Sequence, residues 1–504
     1  MVVDFATSTP TPSAAIDSST TKPTTTTLMK GGLFADTTTT TATDNFELPP
    51  ITPIASGTSI PKLLRAHAAD SEDHEPFYII DVGQVARKYD QWVAALPRVD
   101  PFYAVKCNGD KTILKLLAKL GTGFDCASKA EMDTVLKMGV PADRIIYAHP
   151  CKMASHVKFA SQNNVRMMTF DNEHELHKMK ELYPNARLVL RVLTDNSRSI
   201  CNLGLKFGAA LARVPHMLQL AKDLELDVVG VSYHVGSGCF DAQAFADAVA
   251  VAKTVFNIGA ELGFKFNLLD LGGGFPGSDN VNVKFDDIAS VLRVALDKHF
   301  PAAENKDLHI IAEPGRYFVS ASHTLAVSVV AKRTIVLPTT NGETNDANSA
   351  ANQAAMASAS ACPAAAAAAA MAAAQGRAAD GAPTFMYYVN DGVYGSFNCI
   401  LFDHAVVAPR VLVSGNLGVV AMDSDSESDS EERAESGFAC SIWGPTCDSM
   451  DCITKTGRLP ELAIGDWLYF EDMGAYTVAA SSTFNGFPKP KLMYVNSESH
   501  RNLL

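Results

Sequence analysis

Pro101-Phe-Tyr-Ala-Val-Lys-Cys-Asn-Gly109 decides how this chain is read. The stretch has the composition of a short buried strand, and it stops on an amine. Alternation puts Phe102, Ala104 and Lys106 on one face. A lysine beside apolar neighbours either snorkels into water or keeps its amine in a poorly hydrated place, where its pKa falls and it becomes nucleophilic. Taken alone, the segment leaves both outcomes open, and a solvated lysine just past the strand end is the plainer one.

The same event recurs along the chain. Seven more apolar or β-branched runs end in or just before a polar or glycine-rich turn: Gly123 to Asp125, Ile145 to Ala148, Arg166 to Phe170, Leu188 to Val192, Val228 to His234, Leu268 to Leu271 and His309 to Glu313. Between them lie stretches with apolar residues three and four apart, such as Ser128 to Met138, Val214 to Leu224, Phe245 to Leu262 and Ile288 to His299, as in amphipathic helices. Eight strand and helix units in succession predict an α/β fold, a (β/α)8 TIM-type barrel. That fold places its chemistry at the strand C-termini, where Lys106, Asp125, Arg191, His234, Gly272 to Gly274 and Glu313 fall.

Composition agrees with a soluble enzyme of more than one domain. No span of the 504 residues is apolar enough for a membrane. The alanine tract Ala364 to Ala370 is too short and too weakly hydrophobic. The ten cysteines show neither paired metal spacing nor a secretory framework, so no metal is expected and reduced thiols in a cytoplasmic compartment are. The Ser- and Thr-rich stretch 1–45 has no arginine and carries several acids, which argues for a disordered tail over a transit peptide.

After Arg316 the pattern changes to strands: His323 to Val330, Phe385 to Val389, Val406 to Leu412, Trp467 to Glu471 and Lys491 to Val495. The division expected is an N-terminal segment 46–84 that joins a C-terminal, mainly-β domain 321–504, with the barrel at 85–320. Two additions interrupt the β domain, a low-complexity insert 338–383 and an acidic insert 413–437. Within the second, Asp423 to Glu435 carries a net −6, nearly half of the formal −13. What remains is mildly acidic with no basic stripe, so nucleic acid is not an expected partner. The Ser-Asp and Ser-Glu alternation is read as either a solvated loop or a site for an acid-directed kinase.

The last two barrel strands carry the strongest chemical signal. A (β/α)8 barrel commonly binds phosphate with the loops after strands seven and eight, here Gly272-Gly-Gly-Phe-Pro-Gly277 and Pro314-Gly-Arg316. Consecutive glycines let backbone N–H groups converge on an anion, and an arginine adds a bidentate cation. A Rossmann reading fails because no helix follows directly. A phosphate site and a lysine on one barrel mouth suggest pyridoxal 5'-phosphate, which needs an aldehyde-capturing amine, a phosphate cup and a partner for its pyridine nitrogen. Glu313 is placed for the last role. His234, beside Gly236-Ser-Gly238, is either a ring-stacking group or a barrel-core histidine.

These residues resemble the eukaryotic ornithine decarboxylases, group IV pyridoxal-phosphate enzymes with an alanine-racemase-like fold. The resemblance spans roughly residues 60 to 500 and rests on PFYAVKCN, GTGFDCASKAEM, GLKFG, SYHVGSGC, DLGGGFPG, AEPGRYFV, NDGVYGSFNCILFDHA, WGPTCDSMD and FEDMGAYT. It implies decarboxylation of L-ornithine to putrescine, the first step of polyamine biosynthesis, in a homodimer whose active sites are shared across the interface. Lysine or arginine decarboxylation, and an inactive antizyme-inhibitor-like binding protein, are the alternatives. An antizyme-type regulator is a further candidate partner.

Carried onto matching positions, the resemblance implies that Lys106 is the Schiff-base lysine, Glu313 the partner of the pyridine nitrogen and His234 the stacking group. Ser237, Gly272, Gly273, Gly274, Arg316 and Tyr476 would bind the cofactor around its phosphate, with Asp125 and Arg191 near the ring and lysine. Asp403 and the partner subunit's Asp448 would receive the distal ammonium of ornithine, beside Phe484. Cys447 would protonate Cα. Lys206 and Asp451 match an intersubunit ion pair. Glu131 is read two ways, as the N3 member of a capping box with Ser128 or as a neighbour of the lysine. Phe402 departs from the tyrosine of many relatives, from which a modest effect on affinity is expected. The chain also lacks the long Pro-, Glu-, Ser- and Thr-rich tail of some animal relatives, so rapid turnover by that route is not expected.

Overall fold

The computed structural model describes residues 47–55, 58–279, 281–335, 384–413 and 437–504. The tail through residue 45, the alanine-rich stretch 338–383 and the acidic stretch 414–436 lie outside the described residues. Eight parallel strands close into a barrel in chain order: Asp100–Ala104, Gly123–Cys126, Ile145–Tyr147, Met167–Phe170, Arg187–Arg191, Asp227–Ser232, Leu268–Asp270 and His309–Ala312. Each corresponds to one of the eight runs read from sequence.

Strand alternation divides the barrel's side chains into two cores. Phe102, Ile146, Met167, Val189, Val229, Leu268 and Ile311 form a buried cluster of their own, one residue from each of seven strands, as expected of an interior layer. The remaining strand contributes Gly123, paired with Phe102. A Cβ there would lie 2.5 Å from the Phe102 ring, so the missing side chain is the space the phenylalanine fills. Neighbours of opposite parity, such as Tyr103, Phe124 and Leu190, pack in the larger core beneath the helices.

Helix starts are fixed at the barrel mouth by side-chain caps. Asp110 accepts from Ile113 N at 3.0 Å and opens Lys111–Leu120. Ser128 opens Lys129–Lys137, and Asn172 opens Glu173–Leu182. Such caps satisfy amides that the helix itself leaves unpaired.

A nine-stranded sheet adjoins the barrel. The segment Phe77–Asp81 runs antiparallel to His323–Ile335 and parallel to Lys491–Asn496, which joins residues before the barrel to residues after it. Thr384–Val389, Phe438–Trp443 and Cys452–Leu459 extend the sheet on one side. Phe438–Trp443, Cys452–Leu459 and the short Ile51–Pro53 are strands not expected from sequence. The expected strand from Val406 begins only at Arg410. Pro409 has no N–H to offer a ladder, and Val406 ahead of it is 99 % exposed.

Three contacts tie this part of the chain to the turn after the first barrel strand. Tyr476 N donates to Cys107 O at 3.0 Å, Asn108 Nδ2 to Gly474 O at 3.0 Å, and the Tyr494 hydroxyl to Asp110 Oδ2 at 2.7 Å.

Candidate active site

Two residues beyond the apolar interior layer, with the same strand parity, stand Asp125, Thr169, Arg191, Asp270 and Glu313. Period-two alternation makes these a second interior layer at the C-terminal mouth. The layer is polar where the one below is greasy.

Lys106 meets this layer from the side. The first strand ends at Ala104, and Lys106 lies in a 3-10 turn, Val105–Cys107, so the expectation of a strand-face lysine is corrected by two residues. Its ammonium is ion-paired with Asp125, whose side chain is fully buried, while 40 % of the lysine side chain stays accessible. The expected fall in pKa is corrected as well. Burial pulls the amine down, but the carboxylates of Asp125 and Glu313 outweigh it and hold the amine above its ordinary value. The sequence reading weighed desolvation without the carboxylates that two neighbouring strands bring to the same layer.

The residues read as a phosphate cup lie close together. A two-stranded ribbon, Ser199–Cys201 with Ser237–Cys239, brings Ser237 to Arg316, whose Nη2 donates to Ser237 Oγ at 2.7 Å. The guanidinium lies over the Tyr476 ring at 5.2 Å from its centroid. Gly274 has φ +108°, and a Cβ on it would meet Gly236 O at 2.6 Å. Two glycine turns can thus stack only without side chains. Asp403 also belongs here, because Arg316 holds its carboxylate bidentately at 2.7 and 3.0 Å. The residue read for the substrate ammonium therefore pairs with the one read for phosphate.

His234 accepts from Gly236 N through Nδ1 at 2.9 Å. Burial first, then the cations Arg191, Lys106 and Arg316, push it well below the ordinary histidine value, so its ring is neutral. Glu131 follows neither reading fully. Its N–H donates to Ser128 Oγ at 3.3 Å, but its carboxylate accepts from Ala127 N at 2.6 Å, one residue before the cap.

Cys447 and Asp448 sit apart, on the loop between Phe438–Trp443 and Cys452–Leu459. Cys447 is exposed. Asp448 accepts from the Tyr394 hydroxyl and from Met450 N at 2.9 Å, and Tyr394 stacks on Phe484 at 4.4 Å. Among the described residues no hydrogen bond or ion pair joins Cys447, Asp448 or Phe484 to the barrel-mouth group. Asp451 is buried and joins its own loop to the stretch after Thr384–Val389, accepting from Val393 N, Thr446 N and Thr446 Oγ1. Lys206 lies over the Phe207 ring, which Arg191 also faces. Phe402 is 71 % exposed.

Tyr394 and Asp270 were missed from sequence. Tyr394 stands in the quoted NDGVYGSFN motif, but only the fold brings it to Asp448. Asp270 lies within the expected run Leu268 to Leu271, two residues after inward Leu268, but no role is assigned to it there.

The mouth residues fit pyridoxal phosphate. An arginine with glycine turns suits its phosphate, and Lys106 suits its aldehyde. Asp125 keeps one buried carboxylate oxygen without a protein hydrogen bond, and the Glu313 carboxyl is buried in the same layer, which suits a cationic ring. Among the described residues no cluster of His, Cys, Asp or Glu could hold a metal.

Comparison with known proteins agrees. The family model for the pyridoxal binding domain of pyridoxal-dependent decarboxylases matches residues 82–320. An ornithine decarboxylase of Rattus norvegicus is 47 % identical over 436 residues, 86 % of this chain and 84 % of that protein. The antizyme inhibitor 2 of Xenopus laevis is 45 % identical, over 84 % of this chain and 82 % of that protein. Among solved structures, the arginine decarboxylase of Paramecium bursaria Chlorella virus, bound to agmatine, matches with a TM-score of 0.70 and 30 % identity, over 86 % of this chain and all of that one. Pyridoxal phosphate is thus the cofactor, and the chain belongs to the ornithine decarboxylase family of pyridoxal-dependent decarboxylases.

Proposed function

We infer that this chain removes carbon dioxide from L-ornithine to give putrescine, using pyridoxal phosphate, as a cytoplasmic homodimer with shared active sites. The observation that carries the reading is the buried polar layer around Lys106, an amine, three carboxylates and an arginine at one barrel mouth, in a chain 47 % identical to an ornithine decarboxylase. The cofactor, once bound, supplies a sink for the electron pair released when a bond at Cα breaks. Lys106 provides the amine for its aldehyde. Arg316, Ser237 and the Gly272–Gly274 turn would hold its phosphate, with Tyr476 against the arginine. Glu313 would keep a proton on the ring nitrogen, and neutral His234 would present a flat face without adding charge.

Asp403 and the partner subunit's Asp448 are assigned to the distal ammonium, beside Phe484. The thiol of Cys447 is assigned the proton delivered to Cα. Sharing across two subunits accounts for the separation of Cys447, Asp448 and Phe484 from the mouth within one chain. Large exposed apolar side chains support an interface, notably Leu205 at 90 % and Phe402, since such surface is costly to leave in water. The nine described cysteines are all free, and among the described residues no helix is long and apolar enough to cross a membrane.

The antizyme inhibitor relative keeps a second reading in view, a protein that binds a regulator without catalysis. The intact set of Lys106, Glu313, Arg316, Cys447 and Asp448 favours the enzyme. Replacing Lys106 by alanine separates the two readings. The enzyme reading expects the parent to show visible cofactor absorbance and release carbon dioxide from ornithine, and the variant to do neither. A parent that binds no cofactor would favour the binding protein.

A further inference from the structure

Asp270 and Glu313 close the seventh and eighth barrel strands, side by side. Register pairs Asp270 with Ile311, and Glu313 follows two residues on, with its N–H donating to Gly272 O at 2.7 Å. Asp270 is completely buried. One of its oxygens accepts from Gly272 N at 2.9 Å, and the other, Oδ2, is left without a well-formed hydrogen bond, as is Oε1 of Glu313, with the Ser232 hydroxyl close enough to Asp270 to lower its pKa. Neighbouring strand ends and two orphaned buried oxygens set the carboxyl groups against each other, and a hydrogen bond with Glu313 is among the influences on Asp270. Two buried carboxylates in such contact cannot both stay ionised, so one proton settles between them.

Charge at the mouth leads to the same place. The groups facing the pair are Asp125 on the second strand, Lys106 on the turn after the first, and Arg191 on the fifth. Ser232 and Tyr233 adjoin Asp270 from the sixth, and neutral His234 follows. Three carboxylates against two cations leave one negative charge in excess, and all three carboxylates are buried. Burial first, and then the charges of Asp270 and Asp125, push Glu313 well above the ordinary carboxyl range; burial lifts Asp270 to about 6 against the hydrogen bonds it receives from Gly272, Ser232 and Glu313.

We propose that Asp270 is the positioning residue for Glu313: a single proton between Asp270 Oδ2 and Glu313 Oε1 locks the glutamate and leaves its second oxygen for the cofactor's ring nitrogen. Asp270 itself does not touch the cofactor. The inference rests on the pyridoxal-phosphate reading of the mouth and adds a residue to it.

Two substitutions and one spectrum test it. Asp270→Asn keeps a hydrogen-bond donor where the proton would be, whereas Asp270→Ala removes it. Titration of the cofactor-free full-length protein with pyridoxal phosphate should give D270N a dissociation constant close to the parent's and D270A one weaker by about tenfold or more, the loss of one hydrogen bond to a charged group. D270N as weak as D270A would overturn the proposal, and so would D270A indistinguishable from the parent. Should D270A not fold, the infrared difference between the cofactor-free parent and D270N at neutral pH decides. The carbonyl band of a neutral carboxylic acid should be present in the parent and absent from D270N, with Glu313→Gln removing the same band. No such band in the parent would overturn the shared proton. A parent that fails to bind pyridoxal phosphate would sink the cofactor reading itself, an outcome distinct from normal binding by parent and D270A alike.

Discussion

Lys106 is protonated because of its neighbours rather than in spite of its setting. Its amine must lose a proton before it can take an aldehyde, and the buried charge of Asp125 opposes that loss. Asp125→Asn should therefore shift the pH profile of cofactor capture to lower pH. Capture by the parent accelerates as pH rises toward the raised lysine value. Without the carboxylate the amine is neutral at lower pH, and the midpoint moves down with it. Stopped-flow absorbance across a pH series reads this directly, and an unmoved midpoint would remove Asp125 from the account. The identity of the lysine was readable from nine residues of sequence, but its charge state was not. That state depends on Asp125 and Glu313, which are adjacent only because strands far apart in sequence close a ring.

At the level of elements, the barrel was legible because its strands are buried on both faces and interrupted by amphipathic helices with Asp, Ser or Asn caps. Such runs differ plainly from the helices between them. The β domain was less legible: Phe438–Trp443 and Cys452–Leu459 mix polar with apolar residues, as an outer part of a sheet does. Lys106 sits beyond its strand because Ala104 is the last residue to continue the pairing. The Gly123 and Phe102 pair gives this level its test. Filling that space in a well-packed interior forces neighbours off their preferred positions, so Gly123→Val should destabilise the fold by about 2 kcal/mol in urea unfolding. Combining it with Phe102→Leu should recover part of the loss. Additive effects of the two substitutions would mean that the glycine does not exist for the ring.

The whole molecule poses the question of completeness. Within one chain the Lys106 group lies at the barrel mouth, while Asp448, next to Cys447 in sequence, is linked through Tyr394 to Phe484 on a different loop. Half-sites of this kind predict a specific behaviour in mixtures. Lys106→Ala should be inactive, and Cys447→Ala should keep the cofactor but lose correct protonation, with products shifted accordingly. Co-refolding the two should restore putrescine formation, because a mixed dimer has one mouth with Lys106 facing an intact Cys447. A mixture no better than the separate variants would place both groups in one subunit's site. The sequence alone could suggest this division only through family resemblance, since nothing in strand or helix periodicity says which chain a loop will serve.

The central claim is the reaction, and release of carbon dioxide from a panel of L-ornithine, L-lysine and L-arginine, with and without added pyridoxal phosphate, tests it most directly. The account predicts cofactor-dependent release with ornithine preferred and putrescine as the product. Release from lysine or arginine in preference, or none from any of the three with the cofactor bound, would contradict it.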